Sequence, residues 1–503
     1  MPDKRRWRSP EDLERINSYR KHTDLYSGEH LKKSRDGVDV GVFNHPFGKK
    51  GREEGIPYRI FNLLGKGSEA FANIIVGDEV KITTTDKTVQ TWLDALDFGL
   101  PLWEAVTRTS YKGFCGLQPI PMQDPPEDTP EGFDNSKPFW GWSVIDPEHL
   151  YIEFHPANNE IMSIRKAVPF RKVKRGTKEI DVLYEEKHYK DRVEFYLYEI
   201  SGEFIEKELA LEEYTELIDK NAKIEPVFQH NLGDFMISIL FNKRVRHQII
   251  SDYTKPAIAT QESLNSVDTQ IARILKIHSD PKLLVPRSAF TKNEATGESS
   301  IDLEDNEAIA VDNQTPARAW GYLTWDGQLN EARIDKEHLI CVLLTEFDMA
   351  PHFISYPPLM NSTSAETAAK LEKLSHATVK RAKRKTAWLK KALRSLVRNI
   401  LKLNEQYQNQ ELAHAKFSIE TPEIITQSRD EIISEAVVRK QNGLISSRSA
   451  IAKIDKITEE EAQKEVDQIH NEVNNETQNP YNAGLLDQIG QARNEFGVYN
   501  GTI

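Results

Sequence analysis

Cysteine is almost absent: Cys115 and Cys341 are the only two among 503 residues. Two thiols exclude a disulfide scaffold and a Cys-based zinc or iron–sulfur site. Long apolar runs are missing too. No stretch approaches the ~18 apolar residues that a membrane span needs, so no membrane partner is expected. The opening MPDKRRWRSPEDLERINSYR is charged and lacks the apolar core of ~7–15 residues that a secretory signal requires, which predicts a chain kept in a reducing cytosol. Positive charge is in deficit, 66 Lys and Arg against 78 Asp and Glu, a net charge of −12. A static, sequence-specific DNA binder carries a basic footprint over its whole domain, and averaged over this chain there is none. Aromatic residues are not lacking: 8 Trp, 20 Phe and 16 Tyr exclude wholesale disorder. The length exceeds the ~250–300 residues that one core supports, so several modules or an elongated subunit are expected.

Catalytic signatures are also missing. The 14 histidines include no H-E-x-x-H, and no G-x-S-x-G nucleophile elbow occurs. Gly65-Lys66-Gly67-Ser68 resembles a phosphate loop only briefly, because the Walker A spacing fails and the segment lies inside a helical pattern. Two small residues that let helices approach closely explain it better. No catalytic residue, metal ligand or cofactor is assigned, and no enzymatic activity is expected.

What is present reads as an α+β chain. A helix is expected at 10–26. A second follows from Tyr58, where Ile60, Leu63, Leu64, Phe71, Ile74 and Ile75 recur at one-face spacing. Val80–Thr83 alternates like a strand, and a helix over 88–113 must break or restart at Pro101. Residues 115–230 read as antiparallel β, with alternating runs at 139–145, 151–154, 161–168, 180–184 and 193–200. After Asn242 one long helix is expected from about Ile249 to His278, kinked at Pro256. Short strands at 283–285, 300–303, 308–311 and 322–325 follow, and a helix resumes from Leu329 to Phe347. Asp348–Thr363 holds Pro351, Pro357 and Pro358 and excludes regular helix. A long helix is then expected over 364–408, with Leu389, Leu393, Leu396, Ile400, Leu403 and Tyr407 forming a heptad seam. Such a helix outgrows a small core, so the seam is expected to bridge modules or neighbouring subunits. A strand at 416–420 and three short helices complete the pattern. Gly443 is expected to terminate the first of these, Ser446 or Ser447 to cap the second, and Thr458 with Glu461 to form a capping box on the third.

Charge is segregated. Lys380, Arg381, Lys383, Arg384 and Lys385 crowd one turn of the long helix, whereas Glu304, Asp305 and Glu307 sit in an acidic β insert. A partner-docking module suits this segregation better than a catalytic cleft does. For the basic run, a solvated face, phosphate contacts and acidic neighbouring subunits all remain open.

Several stretches, in order, resemble the portal protein family of siphophage-type tailed bacteriophages, the head-tail connector. They are Tyr26-Ser27-Gly28, Asn62-Leu63 with Ile75-Val76-Gly77-Asp78-Glu79-Val80, Val144-Ile145-Asp146-Pro147, Ser251-Asp252-Tyr253, Ser364-Ala365-Glu366 and, best of all, Asn442-Gly443-Leu444-Ile445-Ser446. The family's Pro is missing after Glu79 and after Gly233-Asp234. The resemblance implies a subunit with an α+β wing, helical stem, small β clip and helical crown. Its parts would be an N-terminal arm (1–24), wing (25–250), stem helices (251–278 and 329–347), clip (279–328), tunnel loop (348–363), long wing helix (364–408), crown (409–473) and mobile tail (474–503). It implies a ring of about twelve copies at one capsid vertex of the virion, assembled in the host cytoplasm and carrying double-stranded DNA during packaging and ejection. Terminase, a head-tail adaptor, and capsid and scaffolding proteins would be partners. Pro351, His352, Phe353, Ile354, Ser355, Tyr356, Pro357 and Pro358 would form the tunnel loop; Glu304, Asp305 and Glu307 would lie on the docking face of the clip. Two alternatives are another phage head-completion or minor capsid protein and, further off, a nucleotide-using enzyme.

Overall fold

The computed structural model describes residues 5–35, 38–53, 55–77, 80–122, 133–134, 136–219, 224–278, 283–286, 291–292, 299–300, 308–311, 321–322, 329–354, 375–408, 411–422, 429–455 and 457–477. Two compact units emerge, one of residues 1–363 with 375–424, the other of 364–374 with 425–503.

The first unit is α+β, as the alternating and helical patterns predict. Helix Pro10–Tyr26 starts at Ser9, whose side chain forms a capping box with Asp12, and Pro10 occupies the first turn, where no donor is lost. Helix Leu63–Ile75 is capped by Asn62, which accepts from the Gly65 amide. The span expected as one helix over 88–113 is two, Lys87–Asp94 and Leu100–Lys112. Pro101 lies in the first turn of the second, so it restarts a helix, and Gly113 ends that helix at φ 93°.

Two antiparallel sheets follow. One has three strands, ordered Ser238–Phe241, Phe114–Met122, Phe139–Ile145. The other runs Phe204–Leu209, Arg192–Ser201, Lys178–His188, Ile161–Arg175, Leu150–Phe154, with Val227–Gln229 added alongside Arg192–Ser201. The expected antiparallel β over 115–230 is therefore present in both.

Residues 243–250 depart from expectation. They form a hairpin, Lys243–Val245 against Gln248–Ile250, and the helix begins only at Lys255. Thr254 caps it by accepting from the Ala257 amide at 3.3 Å. Pro256 thus sits in the first turn and starts the helix without kinking it. This helix, Lys255–His278, pairs antiparallel with Leu329–Glu346: Lys336 bonds Asp268 at 2.6 Å, and Tyr253 meets Phe347 edge-on at 6.4 Å. Between the two helices lie short strands. Leu283–Pro286 pairs in parallel with Ala308–Val311 and antiparallel with Gly321–Tyr322, and Thr291–Lys292 pairs with Ser299–Ser300. Glu304, Asp305 and Glu307 lie outside the described residues.

The long helix is described over His376–Gln408; its expected start at 364 lies outside the described residues. Its seam corrects the expectation. Leu389, Leu393, Leu396, Ile400 and Leu403 are at most 1% exposed within this chain. Trp388 packs edge-on against Phe241 at 5.4 Å, and Tyr407 lies 5.6 Å from Trp140, so the seam covers the chain's own three-stranded sheet. Over five turns a 3.5-residue repeat and an ordinary 3.6-residue face are nearly the same stripe, and a sheet satisfies either. Strand Phe417–Glu420 then returns to pair with Lys81–Thr84.

The second unit contains helices Arg429–Gln441, Ser447–Asp455 and Glu459–Thr477. The first ends at Gly443, φ 68°, with the Leu444 amide donating to the Arg439 carbonyl. Ser446 caps the second by accepting from the Ser449 amide, and Thr458 and Glu461 form the expected box on the third.

Candidate functional site

A buried ion-pair network in the first unit lies where the paired helices join the sheet module and the long helix. Asp252 is at its centre. The hairpin Lys243–Ile250 delivers it to the start of the first paired helix, and its amide donates to the Ser110 carbonyl at 2.7 Å. The side chain is 2% exposed at residue level. One carboxylate oxygen accepts from Arg381 Nη2 at 2.6 Å and from Asn242 Nδ2 at 2.7 Å; the other accepts from Ser110 Oγ at 2.6 Å and from Lys385 Nζ. Burial works to raise its pKa, but the Lys385 and Arg381 charges overcome that and hold the carboxyl well below the usual range. Arg381 and Lys385 are one helical turn apart, so both reach a single carboxylate, and both cations also lie over the Phe71 ring.

Arg381 extends the network. It donates to the Glu346 carbonyl at 3.2 Å and to Asp348 at 3.1 Å, where the second paired helix ends. Asp348 has φ 50°, a left-handed turn that redirects the chain. Thr378 fastens the same turn, donating to the Asp348 carbonyl and accepting from the Ala350 amide, 2.8 and 2.9 Å. Residues Pro351–Ile354 then form one 3-10 turn, the described part of the expected tunnel loop. Within it Phe353 and Ile354 pack on the main core, and His352 Nε2 meets Ser375 Oγ at 2.7 Å. Ser355, Tyr356, Pro357 and Pro358 lie outside the described residues.

The expected basic cluster therefore divides. Arg381 and Lys385 turn inward to Asp252, whereas Lys380, Lys383 and Arg384 are exposed. The twin glycines have the packing role expected of them: a Cβ on Gly67 would stand 3.0 Å from the Phe347 ring, and one on Gly65 would stand 2.9 Å from the Tyr26 carbonyl.

One feature escaped the sequence reading. Gln261, Asn265 and Thr269 repeat every four residues on the first paired helix and are fully buried. Gln261 Oε1 accepts from the Leu63 and Leu64 amides, each at 3.2 Å, and its Nε2 donates to the Phe61 carbonyl at 2.7 Å. Asn265 accepts from the Phe61 amide at 3.2 Å and Thr269 from the Arg59 amide at 3.1 Å. This polar ladder ties the helix to residues 59–64. Its signal in the sequence is a polar i, i+4, i+8 row where an apolar face would be ordinary.

Among the described residues no group of three or more His, Cys, Asp or Glu could hold a metal ion, and no helix is long and apolar enough to cross a membrane. The arrangement is one of ion pairs and backbone clamps that fix three helices at one junction. Among curated proteins, none shows significant similarity to the chain. The family model described as phage portal protein, SPP1 Gp6-like, matches residues 7–479, which takes in the sheet module, the paired helices, the Asp252 junction and the C-terminal helices. The chain belongs to that phage portal protein family.

Proposed function

We propose that this chain forms a closed ring of about twelve copies at one capsid vertex of a phage virion, and that double-stranded DNA passes through the ring during packaging and ejection. The family match over 7–479 carries this reading. The antiparallel helix pair separated by a small β insert supports it, since that is the expected stem with its clip. On this reading residues 25–250 with the long helix are the wing, 409–473 the crown, and Glu304, Asp305 and Glu307 a docking face for terminase and the head-tail adaptor. Capsid and scaffolding proteins would meet the ring from outside. The purified chain is expected to appear as rings with a central hole in electron micrographs, with a native mass of about twelve copies. Since twelve chains each carry −12, ring formation should improve with added salt, within the ~10 Å screening length at about 0.1 M. A monomer at every salt concentration overturns the proposal.

A second prediction concerns the segment after Ile354. No Lys or Arg occurs from Asp348 to Thr363, as suits a loop past which a polyanion must slide without being held. Because Phe353 and Ile354 pack on the core, shortening should begin beyond them. Deleting 356–361 is expected to leave ring mass unchanged and to impair packaging or retention of DNA. Rings that package and retain DNA like the parent chain would end the tunnel-loop assignment.

A further inference from the structure

The long helix carries more positive charge than its junction uses. Between Lys380 and Arg398 its exposed positions are 380, 383, 384, 387, 391, 394 and 398. Six of them are cations, Lys380, Lys383, Arg384, Lys391, Arg394 and Arg398, and the seventh is Ala387. At 1.5 Å per residue the row is about 27 Å long. Among the described residues none of the six is paired with a carboxylate, in contrast to Arg381 and Lys385, which both pair with Asp252. The helix contains one acid, Glu405, and that side chain is committed to the Leu412 and Ala413 amides at 2.7 and 2.6 Å. In a chain of net charge −12, a straight row of six cations with no acid among them is a distinct surface.

Its composition selects the partner. Protein interfaces are anchored by aromatic side chains and arginines set in well-packed, desolvated pockets and are depleted of lysine at their centres. This row offers three lysines, three arginines and one alanine, with no large apolar side chain between them. Single-stranded nucleic acid would need exposed rings for its bases to stack on. The nearest ring is Trp388, which is turned against Phe241, with Lys391 lying over it at 5.4 Å. What remains is a rigid, regularly charged polyanion. A DNA duplex carries one negative charge per ~1.7 Å of axis, so a row of about 27 Å faces about eight base pairs.

We infer that the exposed row from Lys380 to Arg398 is a landing surface for the phosphate backbone of double-stranded nucleic acid, binding it without reading its bases. The inference rests on the ring reading only for the origin of the duplex. It complements segment 348–363, which has no Lys or Arg: one part lets a duplex slide, and the other holds it by charge.

The test uses the full chain and a fluorescent 30-base-pair duplex, with anisotropy read between about 50 and 200 mM salt and native mass recorded in parallel. The variant Lys383→Gln, Arg384→Gln, Arg394→Gln, Arg398→Gln removes four exposed charges. It should weaken binding about tenfold or more at the lowest salt, and flatten the slope of log affinity against log salt by about 3 to 4. The control Lys172→Gln, Lys174→Gln, Lys178→Gln removes charge from an exposed hairpin of the larger sheet and should leave slope and affinity near those of the parent. Equal losses in both variants would mean general charge attraction and would overturn the assignment, as would a parent chain that does not bind the duplex. Unchanged duplex binding with a fall in native mass would assign the row to a second copy of the chain instead. A parent chain that binds duplex through this row but forms no ring would sink the ring proposal and leave this inference standing.

Discussion

Asp252→Asn is expected to lower the stability of the chain by about 3–5 kcal/mol, the range found when one partner of a buried ion pair is removed and the other stays. Here two cations would stay, Arg381 and Lys385, facing an amide; Arg381 keeps Asp348, and the buried Lys385 loses its carboxylate. The loss should be measured as a shift in the denaturant midpoint with the slope unchanged. Adding Lys385→Met to Asp252→Asn should recover part of it, because a buried apolar side chain of similar length no longer requires a counter-charge. If the single variant costs under about 1 kcal/mol, water or another anion already screens the junction and the network is not structural. Acid gives an independent check. The Asp252 carboxyl is held below its ordinary pKa when folded, so its contribution is fully present above the ordinary carboxylate value of ~3.9. It is lost as pH falls from there toward the folded value. The parent chain should therefore lose stability more steeply below about pH 4 than the Asp252→Asn chain, and parallel curves would exclude Asp252 as a source of that dependence.

That junction also marks where sequence reading succeeds and where it stops. Local signals were legible: Gly443, Ser446 and Thr458 with Glu461 are terminus markers whose chemistry acts within about one turn. Alternation revealed strands such as Arg192–Ser201, where Val193 and Leu197 are buried and Glu194 and Tyr196 are only partly so. The seam of the long helix was read correctly as apolar, but it was expected to bridge modules or neighbouring subunits and instead covers the chain's own sheet, because periodicity states that a face is covered without stating by what. Pro256 was read as a kink because a proline inside an apolar pattern looks the same at a first turn as in a middle, and only the hairpin before it separates the two. The basic run was visible as charge. Its division into Arg381 and Lys385 inward and Lys380, Lys383 and Arg384 outward depends on Asp252, about 130 residues earlier in the chain. No local rule connects positions so far apart.

Gln261→Leu should also destabilise the chain, by a different route. The side chain is fully buried, and it serves as a cap for a helix it does not belong to. Leu63 and Leu64 are the first two residues of helix Leu63–Ile75, where amides have no partner within the helix, and Gln261 Oε1 accepts from both. The Leu63 amide also reaches the Phe61 carbonyl at 2.8 Å, so it keeps one partner in the variant. The Leu64 amide loses its acceptor, whereas the Phe61 carbonyl loses the Gln261 Nε2 donor but keeps the Leu63 amide. At about 1–3 kcal/mol for a buried group left unsatisfied, the orphaned Leu64 amide should cost about 1–3 kcal/mol, even though leucine is the better helix former. Asn265 still accepts from the Phe61 amide, so the loss should be confined to one turn. Hydrogen exchange can locate it: the Leu64 amide should lose protection in Gln261→Leu, while the Phe61 amide, held by Asn265, should keep most of its own. A stable variant with an unchanged Leu64 amide would mean that leucine is tolerated, and that the ladder does not hold the first paired helix to the module. If instead stability falls and native mass falls with it, the ladder joins the ring proposal to the fold, because the helix it positions is the one assigned to the stem.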